Sequence, residues 1–575
     1  MTAFHPPLED MGFVLERIAG LDRILDLPAY RHTDREIVGL VLSEAAKFAS
    51  EVLAPLDRAG DLAGAVLAPE GVRTPPGFAE AYARFIEGGW NGLVFPGEWG
   101  GQGLPWLVGT AVAEMWNAAN LAFYLAPLLT QAGIEALLVH GSPEQKRLYL
   151  PKLVSGEWTA AMCLTEPQAG SEVGALRTRA ERDGEVYRIR GQKIFITFGD
   201  HDLASNIVHF VLARLPGAPA GTKGISLFLV PKFLPTDDGR PGPRNDVRCL
   251  KLEHKLGIHA SPTCVMSYGE GEGAVGWLVG EENEGMRCMF TMMNNARIAV
   301  GIEGLGVAQR AFGKALAYAR GRLQGVRDGR RVAIVEHPDV RRMLLTMRAR
   351  IAAMRALCYV TAAAVDRAYQ DPDVEAARAA RGRVALLTPI VKAWCTDRAC
   401  EIASLAIQVH GGMGFIEETG IAQHYRDVRI TPIYEGTNGI QAIDLVNRKL
   451  AMENGRLPWA LFEELRGELA EPKSVLREPL AHALGRLEEV TRRLQDADAD
   501  TRQAAATPYL RLFGDVLGAF LLARGARAAE NDARGAAWPG LARFFVHQLL
   551  PSALAEAEAA LASPAELDPA LLPAG

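Results

Sequence analysis

Along most of this chain apolar residues return every three to four positions, the signature of helices with one buried face. From Asp34 to Leu56 the stripe is Ile37, Leu40, Leu42, Ala45, Phe48 and Val52, behind Thr33 or Asp34 as cap. A short helix is expected over 11–25, between Pro6-Pro7 and Pro28, with others over 76–87 and 107–140. Ser142-Pro143-Glu144-Gln145 predicts a further helix start, with Ser142 as N-cap, Pro143 in the first turn and Gln145 as capping-box partner. Over 160–280 the pattern changes to short alternating or β-branched runs. Val186-Tyr187-Arg188-Ile189, Lys193-Ile194-Phe195-Ile196-Thr197, Ile207 to Leu212, Ile225 to Val230 and Cys264-Val265-Met266 are punctuated by turn formers such as Asp183-Gly184. Helical spacing resumes near residue 285 and predicts helices over 292–322, 338–371, 375–410 and 437–452, joined by short turns as in a bundle. After Pro458, placed in a linker, come 461–494, 502–529 and 541–561, and 562–575 reads as a frayed tail.

The expected fold class is mainly α with a central β-domain. Its expected divisions are an N-terminal extension (1–35), a helical domain (36–159), a β-domain (160–284), a helical bundle (285–455) and an additional helical domain (456–575). Gly88 to Gly103, where glycines alternate with Trp90 and Trp99, is expected to be an ordered loop against a core or a ligand.

Composition narrows the classes. At 575 residues, 49% hydrophobic and 23% charged, the chain has enough apolar material for three or four cores. A net charge of -6 without a basic stripe argues against nucleic acid. Residues 451–575 alone carry 13 Lys and Arg against 18 Asp and Glu. The seven scattered cysteines, with no Cys-x-x-Cys pair, read as reduced core thiols of a cytoplasmic protein and suggest no metal site. The first residues, with Asp10 and Glu16, do not read as a secretory signal, and no apolar run is expected to cross a membrane.

The stretch with most chemistry is Ile433-Tyr434-Glu435-Gly436-Thr437-Asn438. Taken alone it reads as a loop glutamate beside a helix cap. Buried among its apolar neighbours, however, Glu435 would lose hydration and become a stronger base. Gly436 would admit a ligand close to the main chain, and Thr437-Asn438 can cap a following helix.

Separated motifs give this stretch a context. Met162-Cys163-Leu164-Thr165-Glu166-Pro167-Gln168-Ala169-Gly170-Ser171 offers a hydroxyl and turn N–H groups suited to the polar edge of a flat ring or to pantetheine. Lys193 to Thr197, Lys255 to Thr263, Asn294-Asn295-Ala296-Arg297, Arg320-Gly321-Arg322-Leu323-Gln324-Gly325 and Gln408-Val409-His410-Gly411-Gly412-Met413-Gly414 complete the set. In this order the motifs resemble the acyl-CoA dehydrogenase family of flavoproteins over about residues 35–450. The resemblance implies a helical domain, a β-barrel-like middle domain and a four-helix bundle. The extra 451–575 segment, the first 35 residues and Glu336 to Arg342 resemble the larger subgroup, which includes methylmercaptopropionyl-CoA and some fatty acyl-CoA enzymes.

The resemblance also implies roles. FAD would be bound by Met162, Leu164, Thr165, Gly170, Ser171, Phe195, Thr197, Thr437 and Asn438. Phe195 stands where relatives carry tryptophan and Phe198 where asparagine is common. Gln408, Gly411, Gly412, Arg322 (or Arg320 in its place) and Gln324 would meet the FAD diphosphate of a neighbouring subunit, which implies a homo-oligomer, with a dimer favoured. The glycine segment is expected to use close N–H groups and a helix terminus for this anion. Ser171, Asn294, Arg297 and Gly436 would contact the acyl-CoA. His259 is expected to be a local hydrogen-bonding residue. Because one subset of relatives places its glutamate where Ala296 stands, Glu435 is the implied base.

The implied reaction is α,β-dehydrogenation of an acyl-CoA thioester to the trans-2-enoyl-CoA, with electrons passed to an electron-transfer flavoprotein. An acyl-CoA oxidase using dioxygen is the nearest alternative. A flavin-containing DNA-binding relative of the alkylation-response type is another, which the acidic 451–575 segment disfavours.

Overall fold

The computed structural model describes residues 4–236, 238–470 and 476–573. The chain forms two compact units, one of residues 47–104 and 119–296, the other of 1–46, 105–118 and 297–575.

The first unit is built on a sheet of eight strands. Val247–Leu252, Thr263–Tyr268, Val186–Thr197, Ala274–Val279, Ile225–Pro231, Asn206–Arg214 and Trp158–Cys163 follow one another in space. Arg179–Asp183 pairs with both 186–197 and 206–214, so five of these strands close into a ring. The ring encloses an interior filled by side chains such as Tyr187, Ile189, Val211 and Phe228, while Val247–Leu252 and Trp158–Cys163 end the sheet outside it. The strand 186–197 is bulged against 263–268, and near the bulge both Phe195 (φ 59) and Phe198 (φ 49) adopt left-handed backbone. Helix Pro143–Ser155 begins with the expected capping box, Gln145 N–H donating to Ser142 Oγ at 3.2 Å and Ser142 N–H to Gln145 Oε1 at 3.0 Å.

The second unit is helical. Its long members Pro338–Gln370 and Val374–His410 pack along each other, and Ala499–Ala528 packs on both and on Asn438–Asn447 and Leu550–Leu561. Buried polar groups fix their register. Arg355 grips Glu114 through Nε (3.0 Å) and Nη2 (2.6 Å), while Tyr359 donates to the same carboxylate at 2.7 Å. Asp366 accepts from Tyr30 Oη at 2.6 Å and from the N–H groups of Trp106 and Leu107, which begin a helix.

The additional segment belongs to this same core. Asp515 accepts from Trp394 Nε1 at 3.1 Å and from Arg398 at 2.6 Å. Gly514 lies so close to Trp394 that a Cβ there would sit 2.3 Å from the ring. The N-terminal segment meets the end of the chain: Arg17 pairs with Asp532, Glu16 with Arg534, and Phe13 packs against Trp538 at 5.3 Å.

Several expectations need correction. The helix expected over 11–25 breaks at Gly20 (φ 76) into Leu8–Phe13, a π-turn and Leu21–Leu25. Pro458 is buried in the first turn of helix Leu457–Glu468, not in a linker, because that turn needs no N–H from it. Part of the continuous helix expected over 461–494 falls on 471–475, outside the described residues; the described flanks are Leu457–Glu468 and Arg477–Asp496. The helix expected over 437–452 ends at Asn447. Finally, Trp106–His140 and Ala499–Asn531 are, among the described residues, long and apolar enough to cross a membrane by length and composition. Their apolar windows are 78% and 83% buried, as core helices are.

Candidate active site

Glu435 lies in the turn before helix Asn438–Asn447. Thr437 is the N-cap, accepting from Ile440 N–H at 3.3 Å. Glu435 itself has φ 56, a left-handed conformation that costs a residue with a Cβ and gathers at functional sites. It is followed by Gly436 at φ 84, where a Cβ would meet Gln441 at 2.8 Å. The turn is held from its main chain. Arg297 Nε and Gln441 Nε2 each donate to the Glu435 carbonyl at 3.3 Å, and Lys392 Nζ donates to the Gly436 carbonyl at 2.8 Å.

The side chain keeps some exposure. Even so, loss of water raises its pKa above the ordinary carboxylate value, against the pull of Arg297 and Lys392. Lys392 in turn is lowered to about 8 by its own burial. Asn438, expected near the cofactor, is engaged within the protein: it accepts from Lys392 at 2.9 Å and donates to Asp397 at 2.7 Å and Thr396 at 3.0 Å. Lys392, Gln441 and a third residue, Glu303, were missed. Glu303 is fully buried and accepts from the Tyr434 phenol. The periodic helices that carry Lys392 and Glu303 show them only as polar breaks in an apolar face.

In the sheet unit, Glu166 and Lys193 form a buried ion pair at 2.8 Å, with side chains 3% and 0% exposed. Glu166 also accepts from Thr178 Oγ1 at 2.6 Å and from the N–H groups of Arg177 and Thr178, and this set holds its pKa down to about 2 although burial opposes it. Lys193 Nζ reaches the Leu164 carbonyl (2.9 Å), and Ile194 N–H donates to the Thr165 carbonyl (2.9 Å). The segment carrying Met162, Leu164 and Thr165 is thereby fastened to the strand carrying Phe195 and Thr197. Thr165 and Thr197 are half-buried, Gly170 and Ser171 exposed, and Phe195 is 60% exposed. Nothing stands within 4 Å of where a Gly170 Cβ would lie. An open aromatic ring beside hydroxyls and free backbone suits a flat ring system with a polar edge. Asn294 is exposed, and His259 lies between Asp61 (2.8 Å) and the Lys255 carbonyl (3.0 Å), the local role expected of it.

Gly411 and Gly412 are exposed, with open space where a Cβ would be. They follow the carboxyl end of helix Val374–His410. The helix-terminus argument for an anion is therefore corrected: this end carries partial negative charge, so only the open backbone favours a diphosphate. Beside them Met413, Phe415 and Ile416 are 46%, 89% and 44% exposed. Arg322 and Gln324 are exposed at the start of an unexpected hairpin, Leu323–Arg327 with Arg330–Ala333, which turns at Asp328 (φ 50) and Gly329 (φ 75). The Asp-Gly pair was the available signal.

With this geometry in view, the chain belongs to the acyl-CoA dehydrogenase family and is an oxidoreductase. Family models match in order: the acyl-CoA dehydrogenase N-terminal domain over residues 40–157, the middle domain over 161–269, the C-terminal domain over 283–450, and an acetyl-CoA dehydrogenase C-terminal-like domain over 461–567. The chain is similar to 3-methylmercaptopropionyl-CoA dehydrogenase of Ruegeria pomeroyi, at 43% identity over 92% of each protein. It is also similar to the broad-specificity linear acyl-CoA dehydrogenase FadE5 of Mycobacterium tuberculosis, at 33% identity over 92% of this chain and 91% of that protein. Among solved structures, Caenorhabditis elegans ACDH-11 in complex with C11-CoA shares the fold, with a TM-score of 0.78 at 20% identity over 96% of this chain and 93% of that one. Family membership makes FAD the cofactor.

Proposed function

We propose that this enzyme converts an acyl-CoA thioester to its trans-2-enoyl-CoA, with Glu435 removing the α-proton. The observation that carries the reading is Glu435 itself, a carboxylate on left-handed backbone with proton affinity raised by burial and two cations close by. A base for a carbon-bound proton needs that raised affinity, and Arg297 and Lys392 keep the group ionised enough to act. FAD, when bound, supplies the hydride acceptor for the β-carbon. In this reading Met162, Leu164, Thr165, Gly170, Ser171, Phe195 and Thr197 hold and cover its ring, with Thr437 nearby. The Glu435 main-chain N–H would stabilise the thioester oxygen as it gains charge, a contact typically worth about 3–4 kcal/mol. Ser171, Asn294, Arg297 and Gly436 would orient the substrate.

Gln408, Gly411, Gly412, Arg322 and Gln324 would serve a diphosphate across a homodimer. The exposed Met413, Phe415 and Ile416 beside them support a face covered by a second copy. The thioether 3-methylmercaptopropionyl-CoA is the first acyl group to test, since the relative from Ruegeria pomeroyi carries that name. Substrate added without oxygen should bleach the flavin of the wild type and leave Glu435→Gln yellow. Full bleaching of the variant would place the base elsewhere. Reoxidation by electron-transfer flavoprotein without peroxide is expected; peroxide in air would make the enzyme an oxidase.

A further inference from the structure

We infer that Glu303 is a positioning residue for the base, an uncharged acid that pins Tyr434 and through it the strained Glu435 peptide. The inference rests on the reading of Glu435 above and extends it to a residue outside every motif of the sequence. Glu303 stands on the same helix as Arg297, Gly285–Gly321, and is 0% exposed. Tyr434, the neighbour of Glu435 in the chain, donates its phenol to Glu303 Oε2. The other oxygen, Oε1, is buried with no hydrogen-bond partner among the described residues. A carboxylate ion so placed would lack solvation on one side, whereas a neutral acid tolerates the site far better.

The surrounding charges agree. Glu303 faces Tyr434 and Glu435 from the turn and Lys392 from the helix Val374–His410; Arg297 and Asp397 act on Lys392 in turn. Burial and the nearby Glu435 push the Glu303 pKa up to about 8, against the Tyr434 bond and Lys392. Burial raises both neighbouring carboxyls, and the roles differ by geometry: Glu435, beside Arg297 and Lys392, must be ionised to take a proton, whereas Glu303, with one oxygen unpartnered, stays neutral and leaves those cations to the base. If Glu303 ionised, it would compete for Lys392 and raise the proton affinity of Glu435 further, so the two should titrate as a coupled pair.

The test uses the holoenzyme with Glu303→Gln, which can still accept the phenol but never ionises, and Glu303→Leu, which can do neither. The readouts are the pH dependence of anaerobic flavin reduction by acyl-CoA and the infrared band of a protonated buried carboxyl, taken as the difference between wild type and Glu303→Gln so that the other buried acids Glu135 and Asp366, both pushed up to about 7, cancel. The wild type should show that band at neutral pH, losing it near pH 8, together with a second inflection in the rate profile there. Glu303→Gln should keep the neutral-pH rate within about threefold while losing both the band and the inflection. Glu303→Leu should slow reduction by about ten- to a hundredfold with the flavin spectrum retained, the size expected when a reacting group is misplaced. No such band in the wild type, or a Leu variant matching wild type in rate and profile, overturns the inference. Full bleaching of Glu435→Gln would sink both readings, whereas unaltered Glu303 variants beside an inert Glu435→Gln would sink this one alone.

Discussion

Replacing the proposed base should make the protein inactive and more stable at once. Arg297 and Gln441 hold Glu435 by its carbonyl, and Thr437 caps the next helix, so Glu435→Gln leaves those bonds in place. The variant removes a group whose folded pKa lies above its unfolded value of about 4.5. The sign follows from linkage: a carboxyl that binds its proton more tightly when folded loses stability as pH rises through the folded pKa. Each tenfold difference in proton affinity is worth about 1.4 kcal/mol. Below pH about 4 both states are protonated and Gln gains nothing by this route. Above the folded pKa the gain is complete. Melting curves of the two holoenzymes at pH 5 and pH 8 should therefore diverge, Gln being the more stable at the higher pH, while substrate-driven flavin reduction falls by about 10²–10⁴-fold, the usual share of a general base. A Gln variant less stable than wild type at pH 8 would refute the reasoning. It would mean that Arg297 and Lys392 outweigh burial, so that the carboxylate is a structural ion.

Lys392→Met removes one of the two cations opposing burial, so the acidic limb of the flavin-reduction profile should move to higher pH; an unmoved limb would show that Lys392 acts only through its bond to the Gly436 carbonyl. Glu166→Gln leaves Lys193 buried without its counter-charge, which should cost about 3–5 kcal/mol and speed FAD release, measured by flavin fluorescence. Because the Glu166 pKa is depressed to about 2, its contribution is complete above pH about 4.5 and is lost as the medium falls toward 2; wild type should release flavin more steeply than the variant across that window. Gly514→Ala puts a methyl 2.3 Å from the Trp394 ring and should cost about 1–3 kcal/mol in thermal unfolding; a neutral effect would show that the helix can shift away.

Where one physical signal dominated, the sequence was easy to read. The 3.6-residue stripes marked the long helices, and Ser142-Pro143 with Gln145 located a helix start to the residue because its cap chemistry is local. Thr437 was legible in the same way. Features that depend on tertiary context were not legible. The break at Gly20 and the burial of Pro458 follow from how neighbouring helices stack, and the left-handed Phe195 follows from a bulge set by its partner strand. At the site, Glu435 stood out because a short motif surrounds it. Glu303 and Lys392 come from two different helices, 132 and 43 residues away along the chain, so no spacing rule could join them to it. The glycine segment was found by its composition, but which end of a helix it terminates decides its electrostatics, and composition is silent on that.

The pairing of Arg17 with Asp532 and of Phe13 with Trp538 sets an order of events on the ribosome. The sheet unit is complete once residue 296 has emerged and can close while synthesis continues. Arg17 leaves the ribosome 515 residues ahead of Asp532, so Phe13 beside it waits uncovered by Trp538 through the synthesis of most of both units, whereas Tyr30 meets Asp366 earlier. A chaperone that binds short apolar segments would find a target in Met11 to Ile18 of the nascent chain.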